Sequence, residues 1–514
     1  MEFRAWMYDV ARDQTPSEQL LDELCEGSLR CGYNAICLQF EHRFEFKSVP
    51  WPAPYGSIKP EVIKRLQAKY KPRGFRIIPF INLLGHMEGF IRAEGGQFLG
   101  EATTTHQAQM CPSKAECVKF AKGLLTDILE TFDDEWVHLG GDEAWQLGQC
   151  PLCAEREKKI GKVGIYAEHY GPLCQMIIDH GKRPCVWGDM LLHYPEAMKQ
   201  MPPKTVIFDW HYNESPVETS KKFRDAGFDV VCCPTIHVFD ANWTDLELTR
   251  DHIDWHIEAV PKVNALGVCV TSWEYHYLSI FRSFVPIIYA AGRRLNKGES
   301  WADGLLKEGG EGYAKAATIL GIDIPNASGY LRPPSWGRIR RGLAMRLNPF
   351  YLWTEWRSEL IAKDGLSDVG KTILRLCNDA DGLLLDSKRF DHNRALKGMI
   401  QLHRSAVLWV RDIESARSDY VHGMLPSCAK KIRTAAKYLH DLRPFLEASA
   451  KDGGAEVDLE RLDLLESVVE RTAKKVDRLA KRQNHDRYLP AFEILIDGGF
   501  VPGDSSSWIT GQRR

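Results

Sequence analysis

The chain has 514 residues, with 67 basic and 69 acidic side chains and a formal net charge of −2. A balance this close to neutral gives no support for nucleic-acid binding or for attachment to an anionic membrane. No apolar run reaches the roughly 20 residues that cross a bilayer, and the start, Met1-Glu2-Phe3-Arg4-Ala5, lacks the basic and apolar pattern of a secretory leader.

The length suits two or three domains. Fourteen cysteines are scattered singly through apolar stretches such as Ala35-Ile36-Cys37-Leu38. That placement fits buried reduced thiols, and hence a cytoplasmic protein, better than a disulfide framework. Asn242-Trp243-Thr244 and Asn326-Ala327-Ser328 match the glycosylation acceptor pattern, which is short enough to arise by chance.

From residue 3 to about 295, short apolar runs alternate with amphipathic segments. The runs Phe3–Tyr8, Ala35–Phe40, Arg76–Phe80, Trp136–Leu139, Pro184–Trp187, Val206–Trp210, Val230–Cys233 and Gly267–Thr271 read as strands. Between them Ser17–Ser28, Pro60–Tyr70, Ala115–Leu129, Ile165–His180 and Ser215–Ala226 carry helical spacing. This alternation predicts an α/β fold with a parallel sheet and helical crossovers. Eight repeats in so short a span favour a (β/α)8 TIM barrel over an open doubly wound sheet. No glycine-rich phosphate fingerprint follows the first strand.

Beyond residue 300 glycines cluster at 304–312 and prolines at 333–334; helical periodicity then runs through Tyr351–Ile361, Val369–Leu385, Ala395–Ser415, Lys430–Leu446 and Leu459–Leu479. The expected division is a catalytic barrel over 1–300, a linker over 301–335 and an α-helical C-terminal domain over 336–514. That domain is open to packing on the barrel, to homodimerisation or to contact with the leaving side of a substrate. The knot Arg338, Arg340 and Arg341 reads as a solvated face.

A barrel of this kind places functional residues just past the C-terminal ends of its strands. Those positions hold Asp9 and Arg12, Glu41, Asn82 and His86, then Asp142 and Glu143 behind the run His138-Leu139-Gly140-Gly141. Trp187 and Asp189, Asp209 with Trp210 and Tyr212, and Trp273 with Glu274 complete the rim. Each has a plain reading: the tryptophans as barrel core, His86 as a satisfied structural histidine, Arg12 as a salt-bridge partner. Their shared placement favours a sugar, whose hydroxyls need charged partners and whose C–H face needs an aromatic platform.

His138-Leu139-Gly140-Gly141-Asp142-Glu143 resembles the signature of glycoside hydrolase family 20, the β-N-acetylhexosaminidases. Asp9-Val10-Ala11-Arg12, Leu84-Gly85-His86-Met87-Glu88 and Thr271-Ser272-Trp273-Glu274 resemble the same family over about residues 1–295, most nearly its hexosaminidase D-like branch, whose members start almost directly with the barrel. The resemblance implies an exo-acting, retaining β-N-acetylhexosaminidase that needs no cofactor and acts on terminal β-linked N-acetylglucosamine or N-acetylgalactosamine. It implies Glu143 as general acid/base and Asp142 as the carboxylate that orients the 2-acetamido group. Arg12 would hold the 3- and 4-hydroxyls, Trp187, Trp210 and Trp273 would wall the sugar, and Glu41 with His86 would back up the acid in a relay. In such an enzyme the acetamido oxygen is the nucleophile and an oxazolinium forms, so Glu143 must carry a proton as the leaving group departs.

Typical members place a tyrosine after the seventh strand to bind the acetamido carbonyl. Residues 234–243 contain none, which leaves Asn242, Tyr212 or Tyr275 as substitutes. The second-strand motif is also reduced, to Phe40-Glu41-His42. A barrel glycosidase for a different sugar and a catalytically idle carbohydrate-binding protein are the alternatives. Cys150-Pro151-Leu152-Cys153 is half of a zinc pattern with no second C-x-x-C in the chain. It reads as two thiols at a helix start, so no metal is expected.

Overall fold

The computed structural model describes residues 1–11, 15–102, 108–212, 214–236, 243–273, 278–327, 350, 360–362, 365–385, 389–453, 456–482 and 488–496. Eight strands close a parallel barrel in chain order: β1 (Phe3–Asp9), β2 (Ala35–Gln39), β3 (Arg76–Phe80), β4 (Trp136–His138), β5 (Arg183–Trp187), β6 (Val206–Trp210), β7 (Asp229–Cys233) and β8 (Gly267–Ser272). Closure brings Phe3 opposite Gly267 and Tyr8 opposite Ser272. The expected TIM barrel is the observed one.

Side chains alternate across an extended strand, and that alternation divides the core in two. Phe3, Ala5, Met7, Ile78, Phe80, Trp136, Cys185, Trp187, Phe208, Cys233 and Cys269 fill the barrel interior. Their neighbours Trp6, Tyr8, Leu38, Val137, Val186, Ile207 and Val230 pack outward against the helices. Aromatic rings inside the barrel sit among alanines and cysteines, a large-with-small mixture that lets side chains fill a closed cylinder.

The helices begin where local chemistry permits. Ser17 accepts the Leu20 N–H on its Oγ at 3.1 Å and so caps Glu18–Cys31. The helix expected at Ile165–His180 starts earlier, at Pro151, and breaks at Gly161. Its cap is Cys150, whose Sγ accepts the Cys153 N–H at 3.3 Å. Sulfur is a weak acceptor, so sequence rules for caps pass over it.

Residues 301–327, inside the span expected as a linker, are helical, with Trp301, Leu305 and Tyr313 buried. The glycines there suggest a flexible connector, yet the apolar face packs beside Val285–Lys297 and keeps the segment ordered. Further helices at Asp368–Leu383, His392–Val421, Leu425–Ala435, Arg443–Asp452 and Glu456–Ala480 follow. The expected Lys430–Leu446 helix is interrupted after Ala435 and again after His440; Pro444, which has no N–H to bond back to residue 440, sits in the first turn of the helix that starts at Arg443. Arg282 joins this bundle to the barrel, with Nη2 donating to Asp452 Oδ1 at 2.7 Å and to Glu23 Oε2 at 2.8 Å.

Arg338, Arg340, Arg341 and most of Tyr351–Ile361 lie outside the described residues. No described helix is long and apolar enough to cross a membrane. All fourteen cysteines are buried and unbridged.

Candidate active site

The inward face of β4 ends on His138, which stacks on Phe80 with ring centroids 4.0 Å apart. The chain then turns through Gly140 and Gly141, at φ of 71° and 100°, which bring the two acids to the C-terminal mouth. Neither glycine has room for a side chain. A Cβ would stand 2.3 Å from Asn82 Oδ1 at Gly140 and 2.7 Å from the Tyr166 hydroxyl at Gly141. The double glycine is therefore what lets this strand end deliver two adjacent acids.

His86 lies between those acids. Its Nε2 is 3.4 Å from Asp142 Oδ2 and 3.3 Å from Glu143 Oε2, while Nδ1 faces Glu88 Oε1 at 3.6 Å. The Asp142 side chain is 8% exposed and that of Glu143 36%. One acid is thus sheltered and the other stands at the opening. The Glu143 N–H donates to Asp189 Oδ2 at 2.9 Å, so the turn is held from the end of β5. Among the described residues five non-glycines have positive φ, and three of them are Glu41, His86 and Glu143. Backbone strain of this kind costs about 1–3 kcal/mol per residue and gathers where a fold holds functional groups in place.

Aromatic side chains gather at the C-terminal ends of β5, β6 and β8. Trp187 is buried with its ring centroid 4.5 Å from His138 and 5.7 Å from Trp273. The Trp273 Nε1–H donates to the Tyr212 hydroxyl, and the Trp210 ring lies tilted against Tyr212 with centroids 5.0 Å apart. Among the described residues, Trp187 Nε1, Trp210 Nε1 and Asp142 Oδ1 are buried without a hydrogen-bond partner. Unpaired buried polar atoms are costly in a folded protein and call for an explanation, such as a ligand or an ordered water.

The strand-end residues do not all join this cluster. Asp209 sits one residue out of phase with Phe208 and faces the helix layer. There it accepts hydrogen bonds from Thr219 Oγ1 at 2.8 Å and Ser220 Oγ at 2.6 Å. Glu41 accepts the Gly89 N–H at 2.7 Å and lies 3.8 Å from the His42 ring. The carboxylate at His86 Nδ1 is instead Glu88, which the sequence reading left unassigned. Its motif was visible, but not the short helix Glu88–Arg92 that turns the side chain back. Arg12, Asn242, Glu274 and Tyr275 lie outside the described residues.

Residues 45–274 match the family model described as glycosyl hydrolase family 20, catalytic domain. Most of the barrel is thus similar to the catalytic domain of glycosyl hydrolase family 20. Among curated proteins, a beta-hexosaminidase of Akkermansia muciniphila is 23% identical over 193 residues, 34% of this chain and 37% of that protein. A beta-N-acetylhexosaminidase of Cellulomonas fimi is 24% identical over 242 residues, 43% of this chain and 45% of that one. The match thus spans less than half of either curated relative. Among solved structures, a Flavobacterium johnsoniae chitobiase aligns with a TM-score of 0.49 at 15% identity, over 97% of this chain and 78% of that one. A β-N-acetylhexosaminidase of Bacteroides fragilis aligns with a TM-score of 0.47 at 18% identity, over 58% and 67%.

The electrostatics of the site centre on His86 and Asp189. Burial opposes charging His86, but the charge of Asp142 and then contacts with Asp142, Glu143 and Glu88 outweigh it. They hold the imidazole well above its ordinary value of 6.5. Burial, and next the charge of Asp142, push the Asp189 carboxyl well above the usual carboxylate range. A histidine raised in the folded state adds stability that is fully present below its unfolded value and lost as pH rises through its folded one. The Tm gap between wild type and His86→Gln should therefore be widest near about pH 6 and narrow on the alkaline side. Thermal melts across that range check it. A gap that does not change with pH would rule out a charged His86.

Proposed function

We propose that the protein is a retaining, exo-acting β-N-acetylhexosaminidase that uses the substrate's acetamido group as nucleophile. One observation carries the reading: two adjacent carboxylates share one imidazole at the C-terminal mouth of a barrel that is similar to the family 20 catalytic domain. Glu143, the more exposed acid, protonates the departing glycosidic oxygen and later takes a proton from water. Asp142 accepts the acetamido N–H and stabilises the positive charge that develops as the carbonyl oxygen attacks the anomeric carbon. Its unpaired Oδ1 supports that role, since it has no acceptor duty to another described residue.

His86 fixes the distance between the acids, and Glu88 steadies the imidazole from behind. Trp187 and Trp273 floor and wall the sugar. Tyr212, held beside Trp273, takes the place of the missing tyrosine toward the acetamido carbonyl. Arg12, Asn242 and Glu274 are proposed sugar contacts on the strength of the motif alone. A reducing, cytoplasmic setting is supported by fourteen buried, unbridged thiols.

A panel of aryl β-glycosides is the test. N-acetyl-β-glucosaminide or N-acetyl-β-galactosaminide should be cleaved, with the β-anomer as first product by NMR and competitive inhibition by a thiazoline mimic of the oxazoline. Cleavage only of sugars lacking the acetamido group, cleavage of none, or an inverted first product would each overturn the reading.

A further inference from the structure

The sequence contains one C-x-x-C, and the fold completes it. Glu101 and Cys111, from the long connection after β3, meet Cys150 and Cys153 at the start of the helix after β4. Their four ligand atoms all lie within 4.8 Å of one another, and all four residues are buried. Cys111 Sγ is 3.4 Å from Cys150 Sγ and 3.7 Å from Cys153 Sγ; Glu101 Oε2 is 3.2 Å from Cys153 Sγ. Ligands about 2.3 Å from a central ion stand about 3.8 Å apart at tetrahedral angles. The thiols are thus nearly at metal-site spacing and too far apart for a disulfide.

We propose that Glu101, Cys111, Cys150 and Cys153 form a structural zinc site. Four protein ligands leave no open position, the mark of a structural rather than catalytic ion. The surroundings already order the ligand atoms. The Cys153 N–H donates to Cys150 Sγ at 3.3 Å, and the Cys150 N–H donates to Glu101 Oε1 at 3.1 Å, which leaves Oε2 facing Cys153. Ser113 Oγ is 2.9 Å from Cys153 Sγ and accepts from Arg156 at 3.0 Å, which brings a cation toward the cluster. Such outer contacts orient ligands and balance their charge. On binding, the thiols give up their protons to solvent as three sulfur–zinc bonds and one oxygen–zinc bond form.

The ion would staple two loops at the edge of the active site. Gln146, three residues past Glu143, already accepts the Ala108 N–H at 3.4 Å and donates its own N–H to Gln109 Oε1 at 3.0 Å. Zinc at residues 101, 111, 150 and 153 would close that seam from the far side.

Metal analysis of protein purified under reducing conditions should find about one zinc per chain. Cys111→Ser should lower that content, while Cys428→Ser, in the C-terminal bundle, should keep it. Should Cys111→Ser fold poorly, wild-type protein decides: stripped of zinc and given cobalt(II), it should show a thiolate-to-cobalt charge-transfer band and regain the Tm lost on stripping. Folded wild type without zinc and without that band, or with a native disulfide among these cysteines, would overturn the site. None of these readouts uses glycosidase activity, so failure here is distinct from failure of the proposed function.

Discussion

Glu143→Gln should be crippled on natural disaccharides and much less impaired on an activated aryl glycoside. A sugar alkoxide is a poor leaving group and needs the proton that glutamine cannot give; a nitrophenol departs readily as its anion. General-acid catalysis is worth about 10²–10⁴-fold, and that is the expected loss in kcat/KM on the disaccharide. Asp142→Asn should behave differently, because the proposed mechanism requires acetamido attack whichever group leaves. Its loss should be roughly 10²–10³-fold on both substrates, the usual worth of one electrostatic contact to a developing charge. The geometry adds a condition to this expectation. His86 lies 3.4 Å from one acid and 3.3 Å from the other, so each amide variant also changes a group that the imidazole faces. The split between substrates, rather than the absolute loss, therefore carries the assignment. If Asp142→Asn is the variant spared on activated substrates, the two roles are reversed.

Gly141→Ala should cost both stability and activity. At φ 100° an alanine sits in the left-handed half of backbone space, at about 1–3 kcal/mol. Its Cβ would stand 2.7 Å from the Tyr166 hydroxyl and 3.3 Å from the Tyr170 ring. Both tyrosines are fully buried, so overpacking adds about 1–3 kcal/mol. The Tyr166 hydroxyl also donates to the Gly141 carbonyl at 2.9 Å, which ties the strain directly to the turn before the acids. Thermal melts should show a Tm several degrees lower, with kcat reduced because Asp142 and Glu143 shift with the turn. The double variant with Tyr166→Phe should recover part of the packing loss and none of the backbone strain. Independent, additive effects of the two substitutions would show that the alanine does not press on Tyr166.

Much of the site was legible because its signals are local. Eight apolar runs separated by amphipathic segments specify a closed parallel barrel, since strands that must bury both faces read as continuous apolar stretches. Two glycines before two acids mark a sharp turn that delivers carboxylates to the barrel mouth. His86 and the tryptophans at strand ends follow from the barrel rule.

The same continuous runs conceal which residues face in. Asp209 reads as a rim acid until Phe208 and Trp210 are seen to take the inward positions, which turns it toward Thr219 and Ser220. Asp189 has the opposite history. Its place after β5 was visible, but the bond to the Glu143 N–H joins residues 46 apart and depends on how two strand ends lie side by side.

By itself, then, the sequence determined the barrel, the acid pair and the aromatic rim, because strand periodicity, turn chemistry and charge act over a few residues. Tertiary structure alone decided that Glu88 stands behind His86, that Asp209 turns away, and that Glu101 and Cys111 complete the C-x-x-C. Those outcomes depend on strand parity and on loops brought together across 39 residues between Cys111 and Cys150. No local pattern records such distances.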